Sequence, residues 1–224
     1  MSSAITFTAQ DGSQITGAIA LPAGTDKAPG LVLVQEWWGV NDHIIHLAER
    51  FAAEGFITLA PDLYHGKVTK DPDEAGALMK ALDGAGALAE ITTAAQHLIA
   101  HPRSNGKVGI TGFCLGGAYT FTAATRVAEI SAAVPFYGIP PVGRADYTKA
   151  KPILAHFAAR DQWATAAGAE DIKREVDAAG GSMTLHIYDA DHAFMNDTRL
   201  EVYSPENAKL AWERTIAFLH QHLG

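Results

Sequence analysis

Lys107-Val-Gly-Ile-Thr-Gly-Phe-Cys-Leu-Gly-Gly117 is the stretch on which the reading of this 224-residue chain turns. Val108 and Ile110 form an apolar run that enters a turn made of Gly112, Cys114, Gly116 and Gly117. A helix-compatible segment rich in Ala and Thr follows. Strand, G-x-Nu-x-G and helix in that order make a nucleophile elbow, here with Cys where Ser is usual. Such an elbow holds its central residue on a strained turn, so the flanking positions must be small. Gly112 and Gly116 lack the Cβ that would clash. The helix after the turn sets backbone N–H groups and a positive dipole end beside the sulfur, favouring thiolate and a developing oxyanion. Two other readings compete. A lone cysteine is often just a small buried hydrophobe. A dinucleotide loop would need G-x-G-x-x-G, and Phe113-Cys114-Leu115 fills the turn instead. A cysteine nucleophile needs partners: a His and an acid, each on a loop after a strand downstream of Cys114.

The bulk properties narrow the field. The length suits a single α/β domain over residues 1–224, and 48% apolar with 19% charged residues is ordinary for a globular chain. A formal net charge of −8 without a Lys/Arg cluster argues against nucleic acid and anionic membrane surfaces as partners. One cysteine excludes an intrachain disulfide framework and points to a reducing compartment. Met1 to Gln10 lacks the regions of a signal peptide, and no apolar run approaches the roughly 18–20 residues of a membrane span. A cytoplasmic protein, monomer or homodimer, is expected.

Residues 4–20 alternate in polarity around Asp11-Gly12 and read as a hairpin. Leu31–Val34 is a continuous apolar run, the mark of a strand buried on both faces. Asn41 or Asp42 caps a helix that ends at Gly55. Phe56–Ala60 is a second strand, and residues 63–71 are a loop. Pro72 opens a helix to about Leu82. Gly84 and Gly86 break the pattern before a helix from Ala87 to Ala100. Val108–Thr111 leads into the elbow, Ala132–Tyr137 is the next strand, and residues 138–151 form a Pro/Gly loop. Strand Ile153–Phe157, helix Ala164–Ala179, strand Met183–Tyr188 and a helix from Pro205 to about His220 complete the chain. Alternation of this kind predicts a mostly parallel central sheet with helices on both faces, preceded by an N-terminal hairpin.

Functional residues of such sheets gather at the carboxyl ends of the strands. Glu36, Cys114, Asp161 and His192 all fall there. Cys114, Asp161 and His192 also follow the order nucleophile, acid, base of the α/β-hydrolase fold. His192 would take the thiol proton and return one to the leaving oxygen, while Asp161 holds its tautomer. Asp189 and Asp191 are rival acids; Asp161 is preferred because it ends a strand of its own. The backbone N–H groups of Trp37 and Leu115 are the natural oxyanion donors. Glu36 by spacing alone is a solvated strand-end charge, and Trp37-Trp38 core or pocket lining. The pairs His97/His101 and His43/His46 lack a zinc-protease signature and a useful acidic ligand, so no metal and no cofactor are expected.

Taken together, Gln35-Glu-Trp-Trp-Gly-Val-Asn41, Ala60-Pro-Asp-Leu-Tyr64, Asn105–Gly117, Phe136-Tyr-Gly138, Asp161 and His192-Ala-Phe194 resemble the dienelactone hydrolase family over essentially the whole chain. The resemblance implies a Cys114-His192-Asp161 triad hydrolysing a small ester or lactone through an acyl-enzyme. It also implies that Glu36 lies beside the nucleophile and takes the thiol proton when substrate binds, leaving the resting Cys114 a protected thiol. Two arginines that hold a substrate carboxylate in the family correspond here to Leu78 and Asn196. Lys67, Lys70 and Lys80 offer point charges but no bidentate fork. Dienelactone itself is therefore not the expected substrate. An ester or lactone with an aromatic or apolar acyl part near Trp37, Trp38, Phe113 and Trp163 is. A thioesterase or acyl transferase on the same triad, and a redox-thiol or ligand-binding protein, are the alternatives.

Overall fold

The computed structural model describes residues 2–9, 12–141 and 145–224. Asp11 of the expected hairpin turn and residues 142–144 of the Pro/Gly loop lie outside the described residues. Among the described residues, eight strands form one sheet: β1 (Ser2–Thr8), β2 (Gln14–Ala20), β3 (Ala28–Val34), β4 (Ile57–Pro61), β5 (Ser104–Phe113), β6 (Ile130–Phe136), β7 (Ile153–Ala158) and β8 (Met183–Tyr188). Their order is β1-β2-β4-β3-β5-β6-β7-β8. The β1–β2 hairpin and the β2–β4 pair are antiparallel. Every pair from β4 to β8 is parallel.

Side chains alternate across the parallel strands and divide the core into two layers. Val32 and Val34 face the layer under α3 (Gly84–Ala100), α4 (Leu115–Arg126) and α5 (Ala166–Ala178). Leu31 and Leu33 face the layer under α1 (Asp42–Ala53) and α6 (Pro205–Leu223). With both faces covered, β3 has no exposed residue, which is why its sequence is an unbroken apolar run. The remaining helix, α2 (Pro72–Ala81), buries only Ala75. No helix among the described residues is long and apolar enough to cross a membrane.

Of the boundaries that differ from the sequence expectation, three have a clear local reason. Helix α3 starts at Gly84 and not at Ala87, because the Asp83 carboxylate accepts from the N–H groups of Ala85 and Gly86 at 3.1 Å each. That cap satisfies donors that would otherwise be orphaned, and the two glycines sit in the first turn. Strand β5 runs from Ser104, well before Val108, because Ser104 is in register with Ala28 of β3. Helix α6 continues past His220 to Leu223, whose side chain packs where a Cβ on Gly109 would meet it at 2.7 Å.

Candidate active site

The sheet order brings the four polar strand ends into one arc. Cys114 follows β5, with Glu36 beside it at the end of β3; Asp161 and His192 follow the neighbouring strands β7 and β8. Between them stands the end of β6, Phe136-Tyr137-Gly138.

Cys114 joins β5 to α4 with φ +55° and ψ −112°, a conformation costly for a residue with a side chain. Its N–H donates to Phe136 O at 3.1 Å. Backbone crowding shows why the turn is framed by glycine. A Cβ on Gly116 would lie 2.3 Å from Val34 O, and one on Gly138 would lie 2.2 Å from Cys114 O. Three chain segments therefore meet backbone to backbone under the sulfur. Leu115 opens α4, so its N–H has no acceptor within the helix and faces the nucleophile end.

His192 Nδ1 and Asp161 Oδ2 are 2.5 Å apart. The other carboxylate oxygen, Asp161 Oδ1, accepts from the N–H groups of Trp163 at 2.8 Å and Ala164 at 3.0 Å. Asp161 is buried and fully engaged. Burial pulls the His192 pKa down. Hydrogen bonds to Asp161 and to the Cys114 sulfur, together with their charges, outweigh it and push the value up to about 10. The rival acids are occupied elsewhere: Asp189 and Asp191 both pair with Arg160. The ring of His192 is packed edge-on against Tyr137 at 5.1 Å and against Trp163 at 5.4 Å.

Glu36 is buried, and its Oε2 accepts from Asn196 Nδ2 at 2.9 Å. Burial raises its pKa; His192, the Asn196 hydrogen bond and Arg199 oppose that rise. Asn196, expected to contact substrate, is itself buried and spends its amide on Glu36. Phe113, expected in the pocket, is wholly buried and stacked on Phe136 at 4.6 Å. Trp37 and Trp38 are half-buried and meet edge to face, while Trp163 is 80% exposed. Leu78 is half-buried on α2, and Lys67 and Lys80 are exposed.

Three residues near the site carried no assigned role in the sequence. Tyr137 packs on His192, and burial followed by the charges of Glu36 and Cys114 drives its phenol pKa up. The Tyr64 hydroxyl is buried with no hydrogen-bond partner among the described residues, and its pKa is raised by burial, then by Cys114 and Tyr119. Arg199, half-buried, is the cation whose charge reaches Glu36. Both tyrosines lie in quoted motifs, Phe136-Tyr-Gly138 and Ala60–Tyr64, but nothing in their spacing marks them as neighbours of Cys114.

The fold is that of an α/β-hydrolase, with Cys114 on the tight turn between β5 and α4. The model of the "Dienelactone hydrolase family" matches residues 15–223, and the chain belongs to that family of hydrolases. Protein usf of Aquifex pyrophilus is 34% identical over 96% of both chains. Carboxymethylenebutenolidase 1 of Cupriavidus pinatubonensis is 28% identical, covering 87% of this chain and 86% of its own. A solved structure assigned as a dienelactone hydrolase, from Klebsiella pneumoniae, superposes with TM-score 0.86 at 28% identity over 99% of both chains.

Proposed function

We propose that this protein hydrolyses carboxylic esters or lactones through a covalent acyl-enzyme on Cys114, with His192 and Asp161 completing the triad. The observation that carries the reading is the His192–Asp161 contact of 2.5 Å, beside the strand-to-helix turn that holds Cys114 at φ +55°. Burial makes Glu36 a better proton holder than an ordinary carboxylate, so it suits the task of receiving the thiol proton as substrate enters. The thiolate then attacks the carbonyl carbon. The N–H groups of Trp37 and Leu115 receive the oxyanion. Collapse of the tetrahedral intermediate expels the alcohol oxygen, which takes a proton from His192. Water gives a proton to the now neutral His192 as it attacks the thioester; collapse releases the acid and the Cys114 thiolate, which takes its proton back from Glu36, and His192 ends as the imidazolium it began as. Asp161, held by two backbone donors, keeps Nδ1 protonated so that Nε2 does the proton work.

With Leu78 and Asn196 in place of a substrate-binding arginine pair, the expected substrate is an uncharged or weakly charged ester or lactone rather than dienelactone. A single cysteine nucleophile suits a reducing cytoplasm. The test is turnover of p-nitrophenyl acetate and a small lactone panel. Cys114→Ala is expected to abolish the acetate burst and steady state; equal rates in variant and wild type would remove the mechanism. Offering alcohols and thiols beside water as acyl acceptors separates hydrolysis from acyl transfer.

A further inference from the structure

Trp163 leaves 80% of its surface exposed while its ring stands edge-on to the His192 imidazole, 5.4 Å between centres. Tryptophan is a large apolar ring that folded chains usually cover, so this much bare indole against a triad histidine is not explained by packing. Its backbone is well anchored. The Trp163 N–H donates to Asp161 Oδ1 at 2.8 Å, and buried Ala164 donates to the same oxygen at 3.0 Å. The carboxylate that meets His192 through Oδ2 therefore also sets the chain under the indole. Thr165 then caps α5 by accepting from the Gly168 N–H at 3.1 Å. The other ring against His192 among the described residues is Tyr137, which is wholly buried and closed to substrate. His192 keeps 15% of its side chain exposed, so the imidazole is open on the Trp163 side.

Proton transfer fixes which part of a substrate lies there. The leaving oxygen must come within about 3 Å of the imidazole that protonates it. With the indole centre 5.4 Å from the imidazole centre, a ring one atom beyond that oxygen meets Trp163. Trp37 and Trp38 follow β3, on the opposite side of Cys114 from β7 and β8. They are left to the acyl part; Trp163, expected beside them, belongs to the alcohol part. We propose that Trp163 is a specificity-determining residue that holds the leaving group, making esters of aromatic alcohols the preferred substrate class. A second ring over the exposed indole removes apolar surface from water and adds an aromatic pair, favoured at about 4.5–7 Å between centres. The assignment rests on the reading of Cys114 as nucleophile and His192 as proton donor.

Benzyl acetate and methyl phenylacetate are isomers that carry the same phenyl group on the alcohol side and on the acyl side. Each is measured against methyl acetate in the same protein, so that a general loss of activity cancels. The kcat/KM ratio of benzyl acetate to methyl acetate should fall about two- to tenfold in Trp163→Ala, the worth of one aromatic pair, and recover in Trp163→Phe. The ratio of methyl phenylacetate to methyl acetate should stay unchanged in both. Should Trp163→Ala fail to fold, Trp163→Leu, which keeps apolar bulk without the aromatic face, gives the same readout. A residue that only steadied His192 would lower all three esters together and leave both ratios as they were. That result, or a methyl phenylacetate ratio that falls as far as the benzyl acetate ratio, would overturn the proposal. Cys114→Ala separates this from failure of the underlying reading. If methyl acetate turnover does not depend on Cys114, the mechanism fails; if it does and the benzyl acetate ratio ignores Trp163, only the leaving-group assignment fails.

Discussion

Asn196 donates from Nδ2 to Glu36 Oε2 at 2.9 Å, tying the loop after the last strand to the end of β3 across 160 residues of sequence. The same asparagine is steadied by Thr198, whose N–H and hydroxyl both donate to its Oδ1. A hydrogen bond to the ionised form of a buried acid lowers its pKa, and here it opposes the larger effect of burial. Removing it with Asn196→Leu is expected to raise the Glu36 pKa further. If Glu36 must be ionised to accept the thiol proton, activity is present above that pKa and lost below it. The acid limb of kcat/KM against pH should therefore move to higher pH in the variant. Profiles with p-nitrophenyl acetate check this, and an unmoved limb would detach Glu36 from the proton step.

The three aspartates near His192 should separate cleanly. Asp161→Asn keeps the shape but lets the imidazole adopt the wrong tautomer, and a fall of about 10⁴ in kcat is expected by analogy with a serine triad. Asp189→Asn and Asp191→Asn disturb only exposed pairs with Arg160 and should change kcat by less than about threefold. Steady-state rates on one ester decide it.

A methyl group at Gly138 tests the backbone junction. The new Cβ would lie 2.2 Å from Cys114 O, closer than any real contact, so either β6 or the elbow must shift. Gly138→Ala is expected to cost more than about 2 kcal/mol in urea unfolding and to lower kcat together with it. Gly76→Ala, on α2 with open space around it, is the control and should be neutral or slightly stabilising.

Stability should depend on pH through His156. This residue is wholly buried, bonded through Nδ1 to Tyr188 Oη at 2.8 Å and through Nε2 to Thr215 Oγ1 at 3.1 Å. Burial, then His186 and Arg214, hold its pKa well below the ordinary imidazole value of about 6.5. Above about pH 6.5 folded and unfolded states both carry it neutral and its contribution is complete. As pH falls below that point the unfolded chain gains a proton that the folded chain refuses, so stability declines, by up to about 1.4 kcal/mol per pH unit for one proton. His192 has the opposite sign: raised to about 10, it adds stability that is complete below pH 6.5 and is lost as pH climbs from there toward 10. Urea midpoints should be highest near pH 6.5 and fall from there toward pH 5, less steeply in His156→Gln.

The primary structure by itself determined the layered α/β plan, because runs such as Leu31–Val34 and the glycine frame around Cys114 are local steric and hydrophobic patterns that need no partner to be read. It also determined the order Cys114, Asp161, His192, since each follows a recognisable strand. What it left open was which groups meet. The strand ends already favoured Asp161 over Asp189 and Asp191; the assembled loops add the 2.5 Å contact of His192 to Asp161 and set Arg160 against the other two. That Asn196 serves Glu36, that Phe113 faces the core, and that Tyr137 packs on His192 all depend on the strand order and on the path of loops distant in sequence. Periodicity records which face of an element is apolar; only the assembled sheet sets the loops at its carboxyl edge side by side, and with them the partners of the elbow at Cys114.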